Sequence, residues 1–321
     1  MLIYVPLEHI DQRYTVHLDR DIERYLNDND IPYNKIEPPK LSGKLQPGMF
    51  LDAAGTIRTK SHQIEKIARL YEMGFISNDT TFFFSDLWFP GIESLAYLNY
   101  FHKVNPKITG IIHAGSFTDT DFVRDMERWA KNFEDIIFDI SSKIYVASNF
   151  IKRDIIKKRI IDPKKLSVTH LPLDSKLDKY KQSNERENIV VFNGRICDEK
   201  QPWLFNELAT RFTNVRFVKT QEMNLNKDEY YKLLAKSKIV VSYALQENFG
   251  YGVAEAVELG CIPVLPNRLV YPELYDNRYL FDSFEESVLL VERALNNKLT
   301  IPENNFINPF KTWFNEDNCS G

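Results

Sequence analysis

Short apolar runs alternate with amphipathic stretches along nearly the whole chain, and this alternation most constrains its fold. Leu2 to Leu7 (LIYVPL) reads as a buried strand and Tyr14 to Leu26 as a helix with a charged outer face. IPYNKIEPP predicts a second strand. Gly48 to Gly55 (GMFLDAAG) predicts a third, with Asp52 and Gly55 at its carboxyl edge and a helix from about Ser61 to Met73. The Phe82 to Phe84 run is a core strand, and Lys143 to Leu173 adds a strand, a helix capped by Ser148 or Asn149, and a further strand. Strand followed by helix, repeated, predicts α/β architecture: parallel sheets with helices on both faces. A chain of 321 residues exceeds what one hydrophobic core organises, so two domains are expected. The polar stretch Leu173 to Glu187 places the boundary, giving residues 1–180 and 181–302. The Phe and Trp residues of 303–321 then form a tail crossing back to the first domain.

Charge and cysteine content remove several classes. A net charge of −4 argues against a uniformly basic nucleic-acid binder, while leaving room for a local basic face. Cys197, Cys261 and Cys319 are too few and too scattered for a disulfide framework or a zinc pair, so no metal is expected. The first residues carry no signal-peptide core, and no apolar run reaches the ~20 residues of a membrane span. The expectation is a cytoplasmic protein with no membrane partner.

The chemistry concentrates in Gln246 to Leu274, QENFGYGVAEAVELGCIPVLPNRLVYPEL. A loop tips into a helix with apolar spacing from Val253 to Leu259, Gly260 ends it, and CIPVLP follows as a strand. The first turn of such a helix presents unpaired N–H groups and the positive end of its dipole to an anion. Gly250 and Gly252 would let a ligand approach the backbone. Glu255 is suited to a vicinal diol such as ribose, and Glu247 to a second hydroxylated group. Two acids bracketing an anion site point to a nucleotide sugar, although either glutamate alone reads as an ordinary solvated acid.

Upstream, the strand Ile189 to Phe192 ends in Asn193, Gly194 and Arg195, with Lys200 shortly after. Gly194 permits a turn, and Arg195 with Lys200 would set two cations over a diphosphate. In parallel sheets ligands sit at the carboxyl ends of strands. Asp52, Ser85, Asp86, Trp88 and His113 occupy such places in the first half, His113 reading either as a structural hydrogen-bonder or as a catalytic group. From Lys152 to Lys165 there are seven basic residues (Lys152, Arg153, Lys157, Lys158, Arg159, Lys164, Lys165) against Asp154 and Asp162. That stretch reads as a solvated helix face or as a phosphate-tracking patch. Trp88, Phe89 and Phe117 read equally as core aromatics or as surfaces for a base.

With Gly194-Arg195, Lys200 and the seven-residue spacing of Glu247 and Glu255, the chain resembles the retaining GT-B glycosyltransferases of the GT4-like group. SDLWFPGIESLAYL (Ser85 to Leu98) and CIPVLPNRLVYPEL (Cys261 to Leu274) resemble the queuosine-tRNA mannosyltransferase family and phage DNA hydroxymethylpyrimidine glycosyltransferases. The resemblance implies two Rossmann-like domains facing across a cleft and a nucleoside-diphosphate sugar donor, a UDP-sugar ahead of a GDP-sugar, with no further cofactor. It implies ribose binding by Glu255 and diphosphate stabilisation by Arg195 and Lys200. Glu247 would contact the donor sugar, the backbone of Asn248, Phe249 and Gly250 would meet sugar or phosphate, His113 would lie near the reacting carbon, and Asp86 would meet the acceptor hydroxyl. The leading expectation is transfer of glucose or a pentose such as arabinose to 5-hydroxymethylcytosine, or a related pyrimidine, in phage DNA. The alternatives are a queuosine-tRNA glycosyltransferase, a lipid or polysaccharide transferase, and a non-catalytic nucleotide-sugar or nucleic-acid binding module.

Overall fold

The computed structural model describes residues 1–10, 14–39, 53–119, 121–181, 186–303, 306 and 308–314; Asp52 and Cys319 lie outside them. The chain divides into two compact units, Met1–Pro172 with Ile307–Gly321, and Leu173–Phe306.

In the first unit the strands are β1 (Leu2–Val5), β2 (Tyr33–Lys35), β3 (Thr81–Phe84), β4 (Lys107–Ile111), β5 (Lys143–Val146) and β6 (Leu166–Val168). They form one sheet in the order β2-β1-β3-β4-β5-β6. Every pairing is parallel, with Leu2 opposite Thr81 and Phe82 opposite Ile108. β1 and β3 are buried at every residue, which explains why they read as unbroken apolar runs rather than alternating ones. The helices are α1 (Tyr14–Asp28), α2 (Ala53–Glu72), α3 (Ser94–His102), α4 (Glu127–Ile140) and α5 (Asn149–Lys158). Gly55 belongs to α2 and not to a strand edge. Ala53 and Ala54 are strong helix formers and no capping or proline signal separates them from the apolar spacing downstream. Ser148 supplies the cap of α5, accepting a hydrogen bond from the Ile151 amide.

The second unit has β7 (Glu187–Phe192), β8 (Arg216–Lys219), β9 (Ser237–Val241), β10 (Ile262–Pro266) and β11 (Leu280–Phe281), in the order β11-β10-β9-β7-β8. Again all pairings are parallel. Its helices are α6 (Pro202–Ala209), α7 (Lys227–Lys236), α8 (Tyr251–Glu258), α9 (Tyr271–Leu274) and α10 (Phe284–Leu295). Helix α8 starts two residues before Val253, because Gly250 turns the chain at φ +79 and frees Tyr251 for the first turn. Part of the polar stretch expected as a linker is built into this unit: Leu177 and Asp174 are buried, and Leu177–Tyr180 forms a turn of 3-10 helix.

In both sheets the strand order reverses direction once, between β1 and β3 in the first unit and between β7 and β9 in the second. At such a switch point the connections leave to opposite sides and open a crevice at the carboxyl ends. The residues that follow these four strands are therefore where a ligand belongs.

A last short helix, α11 (Phe310–Trp313), packs on the first unit. Trp313 is 1% exposed, its ring lies 5.6 Å from Phe83, and its Nε1 donates to Thr169 Oγ1 at 3.0 Å. Phe314 meets Phe83 at 4.6 Å. Trp313→Ala should cost about 3–5 kcal/mol of unit stability in denaturant unfolding, as for other buried large-to-small changes. A loss below about 1 kcal/mol would show the site can collapse around the gap. Among the described residues no helix is long and apolar enough to cross a membrane.

Candidate functional site

At the switch point of the second unit, the chain after β7 meets the chain after β9. Asn193 Nδ2 donates to the Gly252 carbonyl and, at 3.2 Å, to the Tyr230 hydroxyl, joining β7, α7 and the start of α8. A Cβ on Gly252 would stand 3.0 Å from Asn193 Nδ2, so Gly252 serves close packing of helix on strand end rather than ligand approach. Gly194 likewise faces protein, with Phe192 Cζ and Lys200 Cγ beside the position of a Cβ.

Lys200 is buried, and its Nζ donates to the Gln246 carbonyl and lies 3.1 Å from Glu247 Oε2. The other carboxylate oxygen of Glu247 accepts from the Gly250 amide at 3.0 Å and the Asn248 amide at 3.3 Å. Glu247 thus folds its own loop around itself, and charge-assisted bonds of this kind are the strong ones. An ammonium has three donors, and the two directed at protein leave one direction for a ligand. Arg195 is more exposed and pairs with Glu199 four residues on, while the Glu199 carbonyl accepts from the Leu245 amide at 2.7 Å. Lys200, Glu247, Asn248 and Gly250 therefore form one hydrogen-bonded unit, with Arg195 at its margin. Phe249 is buried against Tyr251 and Phe306.

Glu255 is 4% exposed and faces α7. Its Oε1 lies 2.8 Å from Lys227 Nζ and accepts from the Tyr231 hydroxyl at 3.0 Å. Tyr231 also reaches Asp174 Oδ2 at 3.0 Å. Burial pushes both Tyr230 and Tyr231 hydroxyls up, and the Glu255 charge adds to the rise. Both tyrosines stay protonated and act as donors.

Lys227, Tyr230, Tyr231 and Asp174 are absent from the motif reading. Lys227, Tyr230 and Tyr231 stand in KDEYYKLL, which looks like an ordinary amphipathic helix, and Asp174 stands in the polar LDSKLDKY. Two more residues escape it. Arg268 donates to the Ala244 and Tyr243 carbonyls at 2.9 and 3.0 Å, tying Asn267–Glu273 to the end of β9. Tyr275 is buried beside Tyr271, and its hydroxyl has no hydrogen-bond partner among the described residues.

In the first unit, Ser85, Asp86 and Glu8 follow β3 and β1 at the switch point, and His113 follows β4. His113 Nε2 donates to the Ser85 carbonyl at 2.8 Å, and its ring lies 5.3 Å from Tyr14. Burial pushes the imidazole down to about 4, against the opposing effect of that bond, so it is neutral at neutral pH. Asp86 accepts from the Trp88 amide at 2.9 Å. Burial pushes its carboxyl up to about 7; the Trp88 amide and Lys60 oppose the rise, and Glu8 and Asp121 add to it. Lys60 and Glu8 form a buried ion pair at 2.8 Å, with the ammonium 4.7 Å from the Phe89 ring centre.

The Asp86 shift makes stability depend on pH. A raised folded pKa contributes stability below the ordinary carboxylate value near ~4 that is lost as pH rises. Relative to Asp86→Asn, the wild-type protein should lose thermal stability between pH 4 and its folded value of about 7. Parallel melting profiles from acid to neutral pH would return Asp86 to the ordinary range.

His113 is held in a rigid loop. Glu134, fully buried, accepts from the Ser116 amide at 2.6 Å, the Ser116 hydroxyl at 2.9 Å and Trp88 Nε1 at 3.3 Å. Arg159 closes the set, donating to Glu134 at 2.9 Å and to Ser116 Oγ at 2.6 Å. Phe89 and Phe117 are core residues, whereas Trp88 is only half-buried. The basic stretch is largely consumed in the same way. Lys152 donates to the Leu166 carbonyl, Lys158 to Phe117 and Asp119, and Lys165 to the Phe138 and Asp139 carbonyls at the end of α4. Cations at helix ends satisfy orphan carbonyls, so this stretch is structural to a large extent.

Two parallel α/β units, each with its switch point at the carboxyl edge, define the fold of the GT-B glycosyltransferases. The chain superposes on the crystal structure of Anabaena HepE in complex with UDP (TM-score 0.61, 11% identity), covering 94% of this chain and 91% of that one. It also superposes on the sucrose-phosphate synthase of Thermosynechococcus elongatus (TM-score 0.63, 10% identity, 92% and 90% covered). The lipopolysaccharide outer core galactosyltransferase WaaB in its apo form matches with a TM-score of 0.59 and 11% identity over 98% of each chain. At these identities the likeness is one of fold. No protein-family model matches the chain. In sequence it is 33% identical over 111 residues to the tRNA-queuosine alpha-mannosyltransferase of Drosophila melanogaster. That match takes in 33% of this chain and 28% of the fly protein's length.

Proposed function

We propose that the protein is a retaining glycosyltransferase that uses a nucleoside-diphosphate sugar, a UDP-sugar first among them, and modifies a nucleoside hydroxyl in a nucleic acid. The observation that carries this is the convergence at one switch point of Lys200, Glu247, the α8 N-terminus and Glu255. In this reading the first turn of α8 and Lys200 receive the diphosphate, with Arg195 reaching it after release from Glu199. Glu247 orients the sugar and Glu255 takes the ribose. The UDP held by HepE supports the choice of nucleotide. Charge preorganised at the leaving diphosphate is the main catalytic device, because that is where negative charge grows. Neutral His113 lies near the reacting sugar carbon without adding charge there, and Asp86 addresses the acceptor hydroxyl.

For the acceptor, the local relative favours queuosine in tRNA, while Ser85 to Leu98 and Cys261 to Leu274 resemble both that family and the phage enzymes and so keep 5-hydroxymethylcytosine in DNA beside it. The test is to incubate the protein with tRNA containing queuosine, tRNA lacking it, and hydroxymethylated and plain DNA. Each receives UDP-glucose, UDP-galactose, UDP-arabinose and GDP-mannose, and nucleosides are then read by mass. A hexose or pentose shift on one modified nucleoside identifies the acceptor. Donor hydrolysis without any nucleoside product refutes the nucleic-acid acceptor, and no turnover of any donor refutes the transferase.

A further inference from the structure

Glu255 is the most deeply buried carboxylate of the donor-site motif, and its two oxygens are used unequally. Oε1 takes the Lys227 ammonium at 2.8 Å and the Tyr231 hydroxyl at 3.0 Å, Oε2 takes neither of these two, and the neighbouring Tyr230 hydroxyl adds a further bond to the carboxylate. The placement of Lys227 is informative. It is the first residue of α7, where the helix dipole disfavours a cation, and the rest of that turn is conventional, with Asp228, Glu229 and a capping box on Asn226. What holds Lys227 there is Glu255 together with the faces of two aromatic rings. Its Nζ lies 4.6 Å from the Tyr231 ring centre and 5.1 Å from that of Tyr230.

Tyr231 has a single proton and two carboxylate acceptors, Glu255 and Asp174, each at 3.0 Å. It satisfies one of them at a time. Asp174 is secured independently, since its Oδ1 accepts from the Lys176 amide at 2.9 Å. Glu255 keeps a charged donor in Lys227 whichever way the Tyr231 proton turns. The plane of the carboxylate is thereby fixed from one side by α7.

We infer that Lys227 and Tyr231 are positioning residues for the nucleotide's ribose: by occupying Glu255 Oε1 they fix Oε2 as the acceptor for the vicinal diol. This rests on the reading of Glu255 as the ribose ligand. An acceptor oriented in advance gains the full strength of a charged hydrogen bond, whereas a carboxylate that rotates spends part of it on being ordered. The consequence is selectivity for the diol, beyond affinity for the nucleotide as a whole.

The test compares binding of UDP with that of 2′,3′-dideoxy-UDP, by calorimetry, in the wild-type protein and in Lys227→Met, Tyr231→Phe and Glu255→Gln. The wild type should prefer UDP by at least ~10-fold, the worth of a hydrogen bond to a charged acceptor. In Lys227→Met and Tyr231→Phe that preference should shrink toward the value in Glu255→Gln, and Lys227→Arg should restore it. A simple loss of charge or of packing would weaken both nucleotides equally. Equal weakening with the preference intact therefore overturns the inference. A wild type that binds both nucleotides alike overturns the ribose reading itself. Tyr231→Phe keeps the ring and its packing, so the comparison survives if Lys227→Met does not fold.

Discussion

In Lys200→Met, kcat for sugar transfer is expected to fall by about 10²–10³ while the protein stays folded, the usual cost of deleting one preorganised donor at a growing charge. The geometry explains why the loss should fall on the chemical step. Lys200 is buried, so its ammonium acts in a medium that screens poorly, and the carbonyl of Gln246 and the carboxylate of Glu247 fix it in place. Removing it leaves the Glu247 loop closed, because Oε1 still holds the Asn248 and Gly250 amides. UDP binding, read by calorimetry, should weaken less than kcat falls. An unchanged kcat would remove Lys200 from the chemistry.

Glu134→Gln is expected to destabilise the first unit by about 3–5 kcal/mol, the cost of leaving one member of a buried ion pair unpaired. Arg159 has a side-chain exposure of 2% and Glu134 of 0%, so water cannot replace the lost partner. The carboxylate also gathers Ser116 and Trp88, and its loss loosens the loop that carries His113. Denaturant unfolding measures the first effect. The apolar double variant Glu134→Leu with Arg159→Met separates the second, since swapping both charges for apolar groups is often nearly neutral in stability. If that variant folds and transfers sugar normally, the buried pair has no part in placing His113.

Much of the fold is legible in the sequence because parallel strands buried on both faces must be continuously apolar. LIYVPL, Phe82 to Phe84 and Ile189 to Phe192 could hardly be anything else. The start of α2 was not legible: Ala53 to Gly55 adjoin a strand-like run, and local composition does not say where that run stops. Within the site, Glu247, Gly250, Glu255 and Lys200 were readable as types at a spacing. Their partners were not. Nothing in KDEYYKLL distinguishes Lys227 and Tyr231 from the solvated and buried faces of any helix, yet they hold Glu255. The basic run from Lys152 to Lys165 shows the converse, since the carbonyls and carboxylates that absorb its charges come from elsewhere in the chain.

By itself, then, the sequence determined which segments become parallel strands, where helices other than α2 begin and end to within a few residues, and which residue types gather around the E-x7-E unit. Those are local properties, set by periodicity, capping and burial of each segment. Strand order was decided only by the tertiary structure, and with it the two switch points that place Asn193 to Lys200 against Gln246 to Gly250, and Glu8 against Asp86. The reason is physical: the direction in which a strand-helix-strand connection turns back costs nothing locally, and is chosen by how whole helices cover the two faces of the sheet.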